Sequence, residues 1–171
     1  LVRQLLERYS VEPQWLVIEV TESIIMADPA RALEIIGQLH GLGVSLSIDD
    51  FGTGYSSLAY LKHLPVGELK IDQSFVRDMT VDDSDKAIVR STIDLGHNLG
   101  LKVVAEGVET EEAWDRLGEL GCDVGQGYHL GHPMPANEFE RWIEESDWGH
   151  SRAGGPQRRV LDAPDRSLQV A

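Results

Sequence analysis

Acidic side chains, one lysine and one glutamine stand at matching places in five short apolar runs of this chain. Glu19 lies in residues 16–20, Asp49 closes the run 44–49 with Asp50 directly after it, and Lys70 lies in 68–72. Glu106 ends 102–106, and Gln126 lies in 124–128. Glu19, Asp49 and Asp50 are hard oxygen donors of the kind that hold Mg²⁺ or Mn²⁺. Carboxylates gathered at one place repel one another unless protons or cations neutralise them. Two adjacent metals, about 3.5–4 Å apart, can clamp a phosphodiester and activate a water for in-line attack. Lys70 has the charge to orient that water or to stabilise developing phosphate charge. It stands two residues before Asp72 on one strand face, which makes an ion pair between them plausible. Glu106 fits a second metal ligand or a general base. Asp49 and Asp50 cannot both point inward on a regular strand, so the strand is expected to end there and let the second carboxylate turn back.

The runs that carry these groups read as strands, and parity decides what each face presents. Leu46 and Ile48 oppose Ser45, Ser47 and Asp49. Leu69 and Ile71 oppose Glu68, Lys70 and Asp72. Ile18 and Val20 oppose Val17 and Glu19. Val103 and Ala105 oppose Lys102, Val104 and Glu106. Gly125 and Gly127 oppose Gln126. Each strand has one apolar or small face and a second that ends in a polar group near its C-terminus. An open sheet covered by helices on both sides tends to be apolar on both faces. A polar inner face with charges at the carboxyl ends fits a barrel, whose active sites sit at that mouth.

Helical patterns alternate with the strands, the signature of parallel βαβ units. Val2, Leu5, Leu6 and Tyr9 recur at helical spacing. Asp28-Pro29 starts a helix that carries Leu33, Ile36 and Leu39 and stops at Gly41. Another runs from about Ser84 to Asn98 and stops at Gly100. Thr110 caps a fourth that ends at Gly121. Asn137 with Glu140 has the spacing of a capping box for a last short helix.

Phe51-Gly52-Thr53-Gly54-Tyr55-Ser56-Ser57 follows the acidic pair and reads as a mobile active-site loop, with glycines for close approach and hydroxyls for polar ligands. It has neither the Rossmann nor the Walker spacing. His40, His63, His97, His129, His132 and His150 form no His-x-x-x-His pair, which argues against zinc. The lone Cys122 cannot form an internal disulfide and reads as a small buried hydrophobe.

Of 171 residues, 42% are hydrophobic and 26% charged, an ordinary globular mix. Twenty-nine acidic residues against 15 basic ones give a net charge of -14. Such a surface repels nucleic-acid backbones and anionic lipid, which disfavours DNA and membrane-surface roles. No apolar run approaches the roughly 18 residues of a membrane span. The start has no signal-peptide layout, so a cytoplasmic location is expected. Residues 1–146 read as the folded part. From 147 to 171 the chain turns rich in Gly, Pro and Arg and is expected to be a flexible tail.

The strings Ile18-Glu19-Val20-Thr21-Glu22-Ser23, Ile48 to Ser57 (IDDFGTGYSS), Leu69-Lys70-Ile71-Asp72, Val103 to Thr110 (VVAEGVET) and Gly121 to Tyr128 (GCDVGQGY) resemble the EAL-domain family. These are bacterial phosphodiesterases that linearise cyclic di-GMP to pGpG. The resemblance implies a modified eight-stranded (β/α) barrel with two Mg²⁺ or Mn²⁺ ions. By position, Glu19, Asp49, Asp50 and Glu106 resemble metal ligands. Lys70 resembles the lysine that contacts the hydrolytic water, and Asp72 a residue supporting the metals. Gln126 resembles a residue lining the water or substrate site. Glu22 resembles the glutamate that anchors the loop after Asp50, coupling it to metal binding and often to dimerisation. Glu109 matches a second acidic position.

The family's Glu-Ala-Leu motif is absent, as is the Asn of its next inner strand. The resemblance places both upstream of Leu1, so an α/β, incomplete TIM-like barrel holding the last five strands is expected. Gly131-His132-Pro133 stands where the family usually has Arg before Pro. The expected activity is metal-dependent hydrolysis of cyclic di-GMP as part of a complete domain, with this chain alone inactive. Further signalling domains upstream and an EAL homodimer are the expected partners, and upstream segments leave room for a membrane anchor. The alternatives are an inactive EAL domain that binds cyclic di-GMP or a protein, and a barrel enzyme acting on a small sugar phosphate.

Overall fold

In a computed structural model of the chain, residues 1–54 and 58–146 are described in full, together with the backbone of Gln169–Val170. The five sequence-predicted strands form β1 (Val17–Thr21), β2 (Ser45–Phe51), β3 (Glu68–Ile71), β4 (Lys102–Glu106) and β5 (Val124–Gln126). They lie side by side in chain order, each parallel to the next. A two-residue β6 (Gln169–Val170) pairs with β5. Apart from that pairing, the expected tail lies outside the described residues.

Between the strands run α1 (Val2–Tyr9), α2 (Glu22–Ala27), α3 (Pro29–His40), α4 (Leu58–Leu61), α5 (Gln73–Asp78), α6 (Asp83–Asn98), α7 (Glu111–Leu120) and α8 (Ala136–Glu145). Local chemistry sets the long ones. The Asp28 carboxylate accepts the Arg31 N–H at 3.1 Å, with Pro29 at the first helical position. Thr110 Oγ1 accepts the Ala113 N–H at 3.2 Å, and Gly121 ends α7 at φ +77°. α6 begins one residue before Ser84, because Asp82 accepts the Ser84 and Asp85 N–H groups. The expected capping box at Asn137 does not form. α8 starts at Ala136, behind Pro135, with no side-chain cap.

The apolar strand faces meet the helices in one core. Leu46, Ile48, Leu69, Ile71 and Val103 of the sheet are buried with Ile36, Val76, Val89, Ile93 and Leu117 of the helices. Full burial of such a side chain contributes about 1.5–3 kcal/mol. Cys122 is buried in the same core, and burial pushes its thiol up to about 12, so it behaves as a hydrophobe. At the end of the sheet where the strands begin, Asp123 Oδ2 accepts the Val103 N–H at 2.9 Å and lies 2.8 Å from His97 Nε2. That clasp ties α6, β4 and β5 together. At the opposite end, the Val108 N–H reaches the Gln126 carbonyl at 3.0 Å, and the His129 N–H reaches the Val108 carbonyl at 3.0 Å. These bonds turn the chain away after Gln126, so β5 stops two residues short of the expected Tyr128. Among the described residues no helix is long and apolar enough to cross a membrane.

A Cβ on Gly127 would fall 2.2 Å from the Val108 carbonyl oxygen, whereas one on Gly37, inside α3, meets nothing within 4 Å. Gly127→Ala is therefore expected to destabilise the fold by about 1–3 kcal/mol. Gly37→Ala is expected to stabilise it by about 0.5–1 kcal/mol. Urea unfolding of the two variants checks this; equal midpoints would contradict the packing at Val108.

Candidate functional site

Strand alternation brings the predicted groups to one mouth. Lys70 is buried on β3, 5% exposed. Its Nζ lies 2.6 Å from Glu19 Oε1 on β1, 2.7 Å from Glu106 Oε1 on β4 and 3.2 Å from Asp49 Oδ1 on β2. Burial alone would lower the lysine pKa. The bonds from Glu106 and Glu19 outweigh it and hold the ammonium above the ordinary lysine range. Burial pushes the Glu106 carboxyl up, and Lys70 offsets only part of that rise.

The expected Lys70–Asp72 ion pair is replaced by these cross-strand contacts. β3 ends at Ile71, and Asp72 turns to cap α5, accepting the Ser74 N–H at 2.8 Å and the Ser74 hydroxyl. Burial would raise the Asp72 carboxyl, but the Ser74 bonds prevail and hold it below the usual carboxylate range. The sequence carried a signal for this in Asp72-Gln73-Ser74, an acidic residue two before a serine at a strand end.

Nor does β2 end at Asp49, as expected; it continues to Phe51. Ile48 pairs with Leu69 and Phe51 with Ile71, so three steps on β2 answer two on β3. This bulge absorbs one residue, and Asp50 takes φ +53°, the left-handed region that Asp tolerates. Asp49 and Asp50 can then serve one site. One carboxylate oxygen each from Asp49, Asp50 and Glu106 lie within 4.8 Å of one another. Burial raises the Asp50 carboxyl, as do the neighbouring charges of Asp49 and Asp72.

This donor set suits a divalent cation. Glu19, Asp49, Asp50 and Glu106 carry four formal negative charges against the one positive charge of Lys70. Asp49 Oδ1 is buried without an aligned hydrogen bond, although Lys70 Nζ lies at 3.2 Å. An acceptor left so is costly unless a cation meets it.

The loop after Asp50 is fastened from β1. Glu22, the buried first residue of α2, accepts the Gly52 N–H on Oε2 at 3.0 Å. A Cβ on Gly54 would come within 3.3 Å of Glu22 Oε1, and one on Gly52 within 3.1 Å of the Phe75 ring. The Thr53 hydroxyl donates to the Asp50 carbonyl at 2.9 Å, and Phe51 is buried. Tyr55 and Ser56 lie outside the described residues. Gln126 is exposed at the end of β5, opposite Glu106 in register. Glu109 is exposed on the loop after β4, outside the carboxylate cluster. Ser47, beneath Asp49 on the same strand face, was not predicted as a site residue. It is buried, and its hydroxyl has no described partner.

The sequence pattern of the EAL domain matches residues 1–133. The chain belongs to the EAL domain family. It is 54% identical over 138 residues to the bifunctional diguanylate cyclase/cyclic di-GMP phosphodiesterase MucR of Pseudomonas aeruginosa. That match takes in 81% of this chain and 20% of MucR, so the chain spans about a fifth of that relative's length. Among solved structures, the PaMucR phosphodiesterase in complex with c-di-GMP superposes with a TM-score of 0.79, over 81% of this chain and 56% of that one, at 54% identity. Klebsiella pneumoniae BlrP1 in a manganese/cyclic di-GMP complex gives a TM-score of 0.71 over 77% of this EAL chain and 34% of that one, at 35% identity. The α/β fold, with five parallel strands in one sheet, matches part of the EAL TIM-like barrel.

Asp72 supplies a pH-dependent test of the local geometry. With chelator present at neutral pH, Asp72→Ala is expected to cost about 0.5–2 kcal/mol as a lost cap. Because the folded carboxyl titrates low, its stabilisation is complete above the unfolded value of about 3.9 and is lost as pH falls through the folded value. Unfolding curves of the variant and the unsubstituted protein should converge in strong acid. An undiminished gap there would rule out the ionised cap as its source.

Proposed function

We propose that this chain carries the greater part of a phosphodiesterase site that hydrolyses cyclic di-GMP to linear pGpG with two divalent cations, Mg²⁺ or Mn²⁺. The observation that carries this reading is the convergence of Asp49, Asp50 and Glu106 around the buried Lys70. The MucR and BlrP1 complexes with cyclic di-GMP support the substrate, and the manganese in BlrP1 supports the metal.

Asp49, Asp50 and Glu106 would hold the cations, with Glu19 beside them and Asp72 as a further carboxylate next to Asp50 that would support the metal site. The cations would supply charge neutralisation for the phosphodiester and a more acidic water. Lys70 stays protonated at physiological pH, so it acts as a hydrogen-bond donor to the water or to the phosphoryl oxygens and not as a base. Glu106, at the same mouth as Asp49 and Lys70, would be the carboxylate that takes the proton from water. Hydroxide would add to phosphorus, the bond to the 3′ oxygen would break, and that oxygen would take up the proton that the attacking water gave to Glu106. Gln126, opposite Glu106 in register, Glu109 on the loop after β4, and the loop Phe51–Ser56, whose Gly52 bonds Glu22, are read as the parts that meet substrate. We further take residues 1–146 as the domain portion and assign it to the cytoplasm. Pairing with a second EAL copy and upstream signalling domains belong to the whole protein.

The test is pGpG formation, followed by chromatography, by the protein that carries this chain. Lys70→Ala is expected to lower turnover by about 10²–10³ while leaving substrate binding largely in place. Asp49→Asn is expected to weaken Mn²⁺ binding measured by calorimetry. Cyclic di-GMP binding without cleavage in the unsubstituted protein would refute hydrolysis and leave a binding domain. A Lys70→Ala variant that cleaves at the original rate would remove Lys70 from the chemistry.

A further inference from the structure

The Lys70 ammonium does more than sit near the carboxylates: it occupies them. Of the three carboxylates whose oxygens cluster closely enough to share a cation, it contacts two, Asp49 and Glu106. Glu19 completes its shell at 2.6 Å. Asp50 has no such contact; its carboxylate leans toward Asp72 instead. One side of the cluster is thus open to a cation while the other is filled by a positive charge of the chain's own. We propose that Lys70 is a tethered competitor for the divalent cations, holding the carboxylates together in their absence and withdrawing from Asp49 and Glu106 as the ions bind. This inference rests on the metal site proposed above.

The physical case has three parts. Without any cation, four carboxylates at one mouth repel, and a buried lysine is the described positive group that offsets them. A divalent ion needs its oxygens at about 2.0–2.1 Å if it is Mg²⁺. An ammonium 2.7 Å from Glu106 and 3.2 Å from Asp49 opposes that ion by its charge at two of the same carboxylates. Lysine is also suited to withdraw, since its charge rides on a flexible four-carbon stem. Asp50, held by its left-handed backbone and by the Thr53 hydroxyl on its carbonyl, offers the place where a first ion can land before Lys70 lets go.

Competition of this kind is a coupling between two ligands of one set of groups, and such couplings typically span about 5–150-fold in affinity. Lys70→Met keeps the bulk of the side chain and removes the charge. It is therefore expected to tighten Mn²⁺ binding by about 5–150-fold. Lys70→Arg keeps the charge and is expected to bind as the unsubstituted protein does. The measurement is the electron paramagnetic resonance signal of free Mn²⁺ during titration of the protein that carries this chain, without substrate. Binding in Lys70→Met alone has the expected sign. Equal or weaker binding in Lys70→Met, or no binding in any variant, overturns the proposal.

Should Lys70→Met fail to fold, the unsubstituted protein decides by nuclear magnetic resonance of the lysine ammonium groups. The Lys70 ammonium is expected to be protected from solvent exchange without metal and to lose that protection as Mg²⁺ saturates. A protected signal that Mg²⁺ leaves unchanged overturns displacement. Mn²⁺ affinity that ignores Lys70, in a protein that still makes pGpG, would sink this inference and leave the hydrolysis reading standing. Tightened Mn²⁺ binding in a protein that makes no pGpG would do the reverse.

Discussion

A buried ammonium cannot stay charged without partners, and the mouth of this sheet is arranged around that constraint. Lys70 reaches three other strands, to Glu19, Asp49 and Glu106, so β1, β2, β3 and β4 are joined through one nitrogen. Removing a charge from water costs several kcal/mol, and only close counter-charges offset it. Here the counter-charges exceed what is needed. The surplus negative charge makes the site receptive to added cations, and the lysine keeps it intact until they arrive.

The strand parity of Glu19, Asp49, Lys70 and Glu106 was enough to place them on one face and at one end. Period-2 alternation is a local property that any strand must obey. The bulge in β2 was not legible in the same way. Asp49-Asp50 demanded that the second carboxylate turn back, and an ending strand satisfies that demand as well as an inserted residue does. The choice is made by pairing with β3, where Phe51 finds Ile71. Likewise Lys70 and Asp72 stand two apart in sequence, the spacing of neighbours on one strand face, yet β3 ends at Ile71, Asp72 caps α5, and the lysine points across the sheet. A cross-strand contact depends on register, which no single segment carries. The short helices α2, α4 and α5 escaped prediction because four to six residues hold too little of a 3.6-residue period to separate from a loop.

The loop after Asp50 shows how the outer layer reaches the chemistry. Glu22 is the first residue after β1, and its carboxylate holds the Gly52 N–H from the next unit of the sheet. Thr53 then fastens back onto the Asp50 carbonyl. The left-handed backbone at Asp50 is thereby held from the strand side by the bulge and from the loop side by two hydrogen bonds. Strained backbone persists where its surroundings over-determine it. The carboxylate of Asp50 is aimed by the same contacts, so a shift of the loop would move a ligand candidate directly.

The two ends of the sheet divide stability from function. At the end where the strands begin, Asp123 spends one oxygen on both the Val103 N–H and His97, so this carboxylate is paired within the chain. At the opposite end, Ser47 Oγ and Asp49 Oδ1 are buried without aligned partners, and Lys70 holds more carboxylates than its charge balances. A buried hydroxyl left without a partner, as at Ser47, costs about 1–3 kcal/mol. That cost is sustainable because Leu46, Ile48, Leu69, Ile71 and Val103 lie on the same strands and face the helices, where burial stabilises them. Alternation along each strand thus couples a stabilising face to a destabilising one. Moving any strand by a single residue would invert both, emptying the site and burying its charges in the core.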